Sequence, residues 1–108
     1  RAFGVDPAVA FDVINTSTGR SWSTEHKLPT YVLPGEYRSG FALGLLVKDM
    51  GIAADLAADL GVEHSLMGSA LGSWREAGEA LPVDADHTSV AEWVAGRRRP
   101  TGTPVAGR

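Results

Sequence analysis

The sequence predicts an all-α domain, and three observations carry that prediction. Apolar residues recur at helical spacing in four segments, most of them bounded by residues that start or stop helices. No segment shows strand alternation with turn punctuation; the short run Tyr31-Val32-Leu33 is interrupted at once by Pro34-Gly35. The 108 residues fit one hydrophobic core, and 44% hydrophobic with 21% charged residues is globular usage rather than that of a disordered chain.

The first helix is predicted from Pro7 to about Asn15. Asp6 can cap its free amides, and proline at the first helical position gives up a donor that had no partner anyway. Val9, Phe11, Val13 and Ile14 supply its apolar side, and Thr16-Ser17-Thr18-Gly19 ends it. Residues 16–38 carry no sustained period, so at most a turn or two of helix fits around Ser21 to Lys27. Trp22, Leu28, Tyr31, Val32, Leu33 and Tyr37 give this connection enough apolar material to be ordered.

A central helix is predicted from Phe41 to Leu60, capped by Ser39 and stopped by Gly61. A third helix should run from Ser65 to about Ala80, with Leu66, Ala70, Trp74 and Ala77 as its stripe and Met67 and Leu71 beside it. A fourth should start near Asp86 or Thr88 and bury Val90, Trp93 and Val94. From Gly96 the sequence RRRPTGTPVAGR reads as a tail, which divides the chain into a helical domain over 1–95 and a tail over 96–108. Arg97-Arg98-Arg99 suit a fraying helix C-terminus, where cations are favoured, better than a phosphate-binding patch.

The central helix is apolar around most of its circumference, which predicts that it is buried. It is long enough to span a bilayer, yet Lys48, Asp49, Asp55 and Asp59 would each cost roughly 2.5–3.5 kcal/mol there, so no membrane role is expected. Lys48 stands between Gly44 and Gly51, small residues that leave room for a ligand or for another backbone. Asp49 points into the apolar arc of Leu45, Ile52 and Leu56 and needs a partner if buried. On helix geometry alone, close helix packing for both glycines and a backbone-capping role for Asp49 are preferred to a site.

Other chemistries find little support. A net charge of −3 gives no pull toward nucleic acid, and basic and aromatic residues are not interleaved. The chain has no cysteine, and His26, His64 and His87 lack metal-ligand spacing, so no metal is expected. No nucleophile-elbow motif surrounds a serine, no Gly-x-Gly-x-x-Gly fingerprint occurs, and no signal peptide is visible. A first residue of Arg1 rather than Met suggests a chain processed or cut from something longer.

Three pieces in order, INTSTGRSW (Ile14 to Trp22), SGFALGLLVKDMGIAADLA (Ser39 to Ala57) and Asp86-His87-Thr88-Ser89-Val90, resemble the C-terminal helical domain of the 3-hydroxyisobutyrate dehydrogenase (β-hydroxyacid dehydrogenase) family. The resemblance runs from Gly4 to about Val94. It implies a multi-helical domain of the 6-phosphogluconate dehydrogenase-like type, in which an N-terminal Rossmann domain, absent from this sequence, binds NAD or NADP. By resemblance Lys48 matches the lysine that reaches the cofactor, and Phe41 matches an aromatic beside the nicotinamide end. Asp49 matches a neighbour near the active site, and Trp22 matches a tryptophan on the substrate side. The family's catalytic lysine and asparagine belong upstream of Arg1, so no catalytic residue is assigned here. Where some members carry a tyrosine five residues after the tryptophan, this chain has Lys27. Together with His26 it could favour a more anionic substrate, although simple solvation is the preferred reading.

The resemblance therefore implies a cytoplasmic NAD(P)-dependent oxidoreductase of small β-hydroxyacids, working as a homo-oligomer. This chain would supply its substrate and dimerisation side, and alone would be inactive and bind no cofactor. The competing reading is a non-enzymatic helical interaction module reusing the same fold.

Overall fold

The computed structural model describes residues 3–97. Helix α1 spans Pro7–Asn15, as predicted, and the Asp6 carboxylate accepts the Ala8 amide at 2.9 Å. The connection that follows differs from expectation, because Ser23–Val32 forms a ten-residue helix, α2, with the wide i→i+5 bonding of a π-helix. Pro29 lies inside it and hid it from sequence reading, since an internal proline normally breaks a helix. Here the wide turn and a neighbour resolve the defect. Proline lacks the amide that would close on the Thr24 carbonyl, and the Asn15 side-chain amide donates to that carbonyl instead, at 3.1 Å. The helix starts on a reciprocal cap in which the Ser21 amide donates to Thr24 Oγ1 at 2.9 Å and the Thr24 amide to Ser21 Oγ at 3.1 Å.

Helix α3 covers Leu43–Asp59 and α4 covers Ser65–Ala80, packed against each other. Gly61 stops α3 as predicted. It sits at φ 66°, and the Val62 amide donates to Ala57 O while the Gly61 amide donates to Ala58 O, the paired closure of a Schellman motif. The start of α3 corrects the sequence reading. Ala42 occupies the N-cap with no side-chain bond, because the Ser39 hydroxyl is committed to Asp86. A 3-10 turn at His87–Ser89, capped by Asp86, leads into the short helix α5, Val90–Gly96.

The described residues contain no strand, only one isolated antiparallel bridge between Ala42 and Asp86. The Leu43 amide donates to Ala85 O and the His87 amide to Phe41 O, both at 2.9 Å, tying the start of α3 to the turn before α5. The buried apolar residues are Leu43, Leu71 and Ala77. Within this chain the predicted burial of the central helix is therefore confined to Leu43. Leu45, Ile52 and Leu56 are exposed by 52–58%, and Asp49 is exposed rather than enclosed. One partner helix, α4, can cover only one side of a helix that is apolar nearly all round. On α4 the covered side is centred on Leu71 and Ala77, while Leu66 is 86% exposed; on α5 Val94 is exposed, with Val90 and Trp93 half-buried. The basic cluster begins as expected at a helix end, with Arg97 paired to Glu76 at 3.0 Å and lying over the Trp93 ring. The remainder of the predicted tail lies outside the described residues.

Candidate functional site

The most highly organised polar chemistry of the chain surrounds Asp86. Its carboxylate accepts from the Ser39 hydroxyl at 2.9 Å, from the Gly40 and Phe41 amides at 3.0 and 3.2 Å, and from the Thr88 amide at 2.9 Å. The Thr88 hydroxyl closes the set. Burial pushes the Asp86 carboxyl up, but the hydrogen bonds from Thr88, Ser39 and Gly40 outweigh it and hold it at about 2, against an ordinary 3.8. The carboxylate is thus a permanent anion that clamps residues 39–41 to residues 86–88.

His87, 9% exposed, occupies the centre of this clamp. Its Nδ1 lies 3.1 Å from the Phe41 carbonyl and 3.1 Å from Ser39 Oγ, and its Nε2 lies 3.0 Å from Lys27 Nζ. A carbonyl can only accept, so Nδ1 carries the proton; an ammonium can only donate, so Nε2 accepts. With Lys27 as the donor these partners match the Nδ1–H tautomer of His87, and the Asp86 carboxylate lies 3.6 Å from the same nitrogen. The imidazole also meets the Phe41 ring edge-on at 5.5 Å between centroids.

Of Trp22, Phe41, Lys48 and Asp49, the site residues implied by the resemblance, Phe41 alone joins this network. Lys48 and Asp49 are exposed on α3. A Cβ added at Gly44, one turn before Lys48, would meet nothing within 4 Å, whereas one at Gly51, one turn after, would meet the Arg75 guanidinium at 3.6 Å, so the strip is open on the Gly44 side of the lysine. Trp22 is 65% exposed and stacks at a tilt on His26 at 4.6 Å, with Tyr31 meeting His26 edge-on at 5.7 Å. Lys27, read from sequence as solvated, is half-buried and held by His87. The Asp86-His87 pair lay within a family-like segment but carried no role. Its significance depends on contacts spanning 45–60 residues, which no local pattern encodes.

A cavity of about 370 Å³ opens between Pro7, Val32, Tyr37 and Ala91, and is lined by none of Trp22, Phe41, Lys48 or Asp49. Among the described residues no group of three or more His, Asp or Glu could hold a metal, and no helix is long and apolar enough to cross a membrane. For a dinucleotide the fit is one-sided. An exposed ammonium beside open space at Gly44 suits a phosphate or ribose, and an aromatic anchored at Phe41 suits a flat ring, but no glycine-rich phosphate cradle accompanies them.

The helical arrangement is that of the 6-phosphogluconate dehydrogenase-like class. It superposes on the Mycobacterium tuberculosis 3-hydroxyisobutyrate dehydrogenase solved with L-serine, with a TM-score of 0.72 and 27% identity over 86% of this chain and 34% of that one. Residues 1–94 match the family described as NAD-binding of NADP-dependent 3-hydroxyisobutyrate dehydrogenase, and the chain belongs to that family. Similar curated proteins include the L-threonate dehydrogenase of Cupriavidus necator, 43% identical over 54 residues that make up 50% of this chain and 18% of that protein. The L-threonate dehydrogenase of Escherichia coli is 30% identical over 93 residues, 86% of this chain and 30% of that protein. The chain spans about a third or less of each of these proteins.

Proposed function

We propose that this chain is the C-terminal helical part, residues 1–95, of a cytoplasmic NAD(P)-dependent dehydrogenase acting on small hydroxyacids of the 3-hydroxyisobutyrate or threonate type. The observation that carries the reading is the family match over residues 1–94, in which Lys48 is exposed beside open space at Gly44. In this reading Lys48 and Phe41 hold the cofactor, Trp22 and Asp49 face the substrate, and the principal acid–base lysine comes from the glycine-rich segment that opens the interdomain helix, upstream of these residues. When bound, the nicotinamide ring supplies the hydride chemistry. Lys48 adds a positive charge to the closed site, and Trp22 keeps water from it. The exposed Leu45, Ile52 and Leu56 are the surface that the rest of the protein and a second copy would cover.

The test is hydride transfer by the intact protein with L-threonate and 3-hydroxyisobutyrate, comparing wild type with Lys48→Ala. Catalytic efficiency should fall by about tenfold or more while the melting temperature stays unchanged, since an exposed lysine contributes little to folding. Unchanged efficiency would remove Lys48 from the site. The isolated chain should show no calorimetric NAD(P) binding, and tight binding there would refute its incompleteness.

A further inference from the structure

Lys27 is a half-buried cation whose observed partner is an uncharged group. Among the described residues no carboxylate lies within ion-pair distance of its ammonium. Asp86, the acid of the same network, is already occupied by donors from Ser39, Gly40, Phe41 and Thr88, on the far side of the His87 ring. The residue is half-buried, and its observed side-chain bond goes to an imidazole nitrogen rather than to a carboxylate. A lysine that served only solubility would extend into solvent. This one is held at 3.0 Å by an imidazole that is itself buried. An ammonium has three donors, and His87 uses one, leaving two N–H groups for a further acceptor. His87 also packs on Phe41, so one imidazole joins Lys27 to a residue assigned above to the cofactor.

We infer that Lys27 is an anion-binding residue of the proposed site that takes the carboxylate of the hydroxyacid, and that His87 is the positioning residue that aims it. The inference rests on the dehydrogenase reading. Its chemistry, an anionic oxygen group against a directed ammonium, would also suit a cofactor phosphate, so the experiment separates the two sources.

In the intact protein, Lys27→Met keeps the packed stem and removes the charge, whereas Lys27→Arg keeps the charge. KM is measured for hydroxyacid and for cofactor, with malonate as the carboxylate probe competing with substrate and inorganic phosphate as the probe competing with cofactor. Lys27→Met should raise the hydroxyacid KM and the malonate inhibition constant by about tenfold or more, leave the cofactor KM unchanged, and be largely rescued by arginine. His87→Phe should shift the same two constants in the same direction with wild-type circular dichroism. A rise confined to the cofactor KM and the phosphate constant would overturn the carboxylate assignment, and no change in either would overturn the site. If the intact protein transfers no hydride, the dehydrogenase reading fails on its own. Calorimetric binding of malonate to wild type and Lys27→Met then decides the role of Lys27, with equal binding or none refuting it.

Discussion

The two ends of α3 contrast sharply in what surrounds them. At the N-terminal end Leu43 is buried, the backbone is bridged to Ala85–His87, and the Asp86 carboxylate is saturated with donors. Further along the same helix Ile52 and Leu56 stand more than half exposed, and Lys48 and Asp49 are exposed with them. One end is finished largely by polar bonding, while the other, covered on one side by α4, leaves apolar side chains more than half exposed among the described residues. Apolar sequence therefore does not locate the interior here; the hydrogen-bond clamp does.

The largest expected effect comes from breaking the finished end. Asp86→Ala strands the Gly40, Phe41 and Thr88 amides together with two hydroxyls, and should destabilise the fold by about 3 kcal/mol in denaturant titration. The same carboxylate makes the clamp sensitive to acid. Its folded-state value of about 2 lies below the ordinary 3.8, so the unfolded chain takes up the proton first. The stabilisation is fully present above about pH 5 and is lost as the pH falls through 3.8 toward 2, a loss of about 2 kcal/mol. Denaturant titrations across that window should show this loss in wild type and not in Asp86→Asn. The smallest effect belongs to the other end. Leu56→Ala should change stability by less than about 0.5 kcal/mol, whereas Leu71→Ala in the buried patch costs about 2–4 kcal/mol. A large loss at Leu56 would erase the contrast between the two ends.

Much of the framework was legible in the sequence because its signals are local. Asp6-Pro7 announces α1, Gly61 ends α3, and Asp86 opens the turn into α5, each through bonds a few residues long. The helical class and the family followed from the same order of segments. What escaped was non-local. The wide helix α2 depends on a bond from α1, and the commitment of Ser39 depends on a carboxylate 47 residues away. Lys27 read as solvated because nothing near it in sequence predicts the imidazole that holds it. For Lys48 the structure adds exposure and open space beside it, while its role still rests on the proposed reading.

The bond from Asn15 to the Thr24 carbonyl has a consequence for the order in which the chain assembles. With Pro29 inside it, α2 cannot satisfy its own main chain until the last residue of α1 is in place. This bond couples the end of α1 to the first turn of α2, so Asn15→Ala should speed amide exchange in α2 more than in α3.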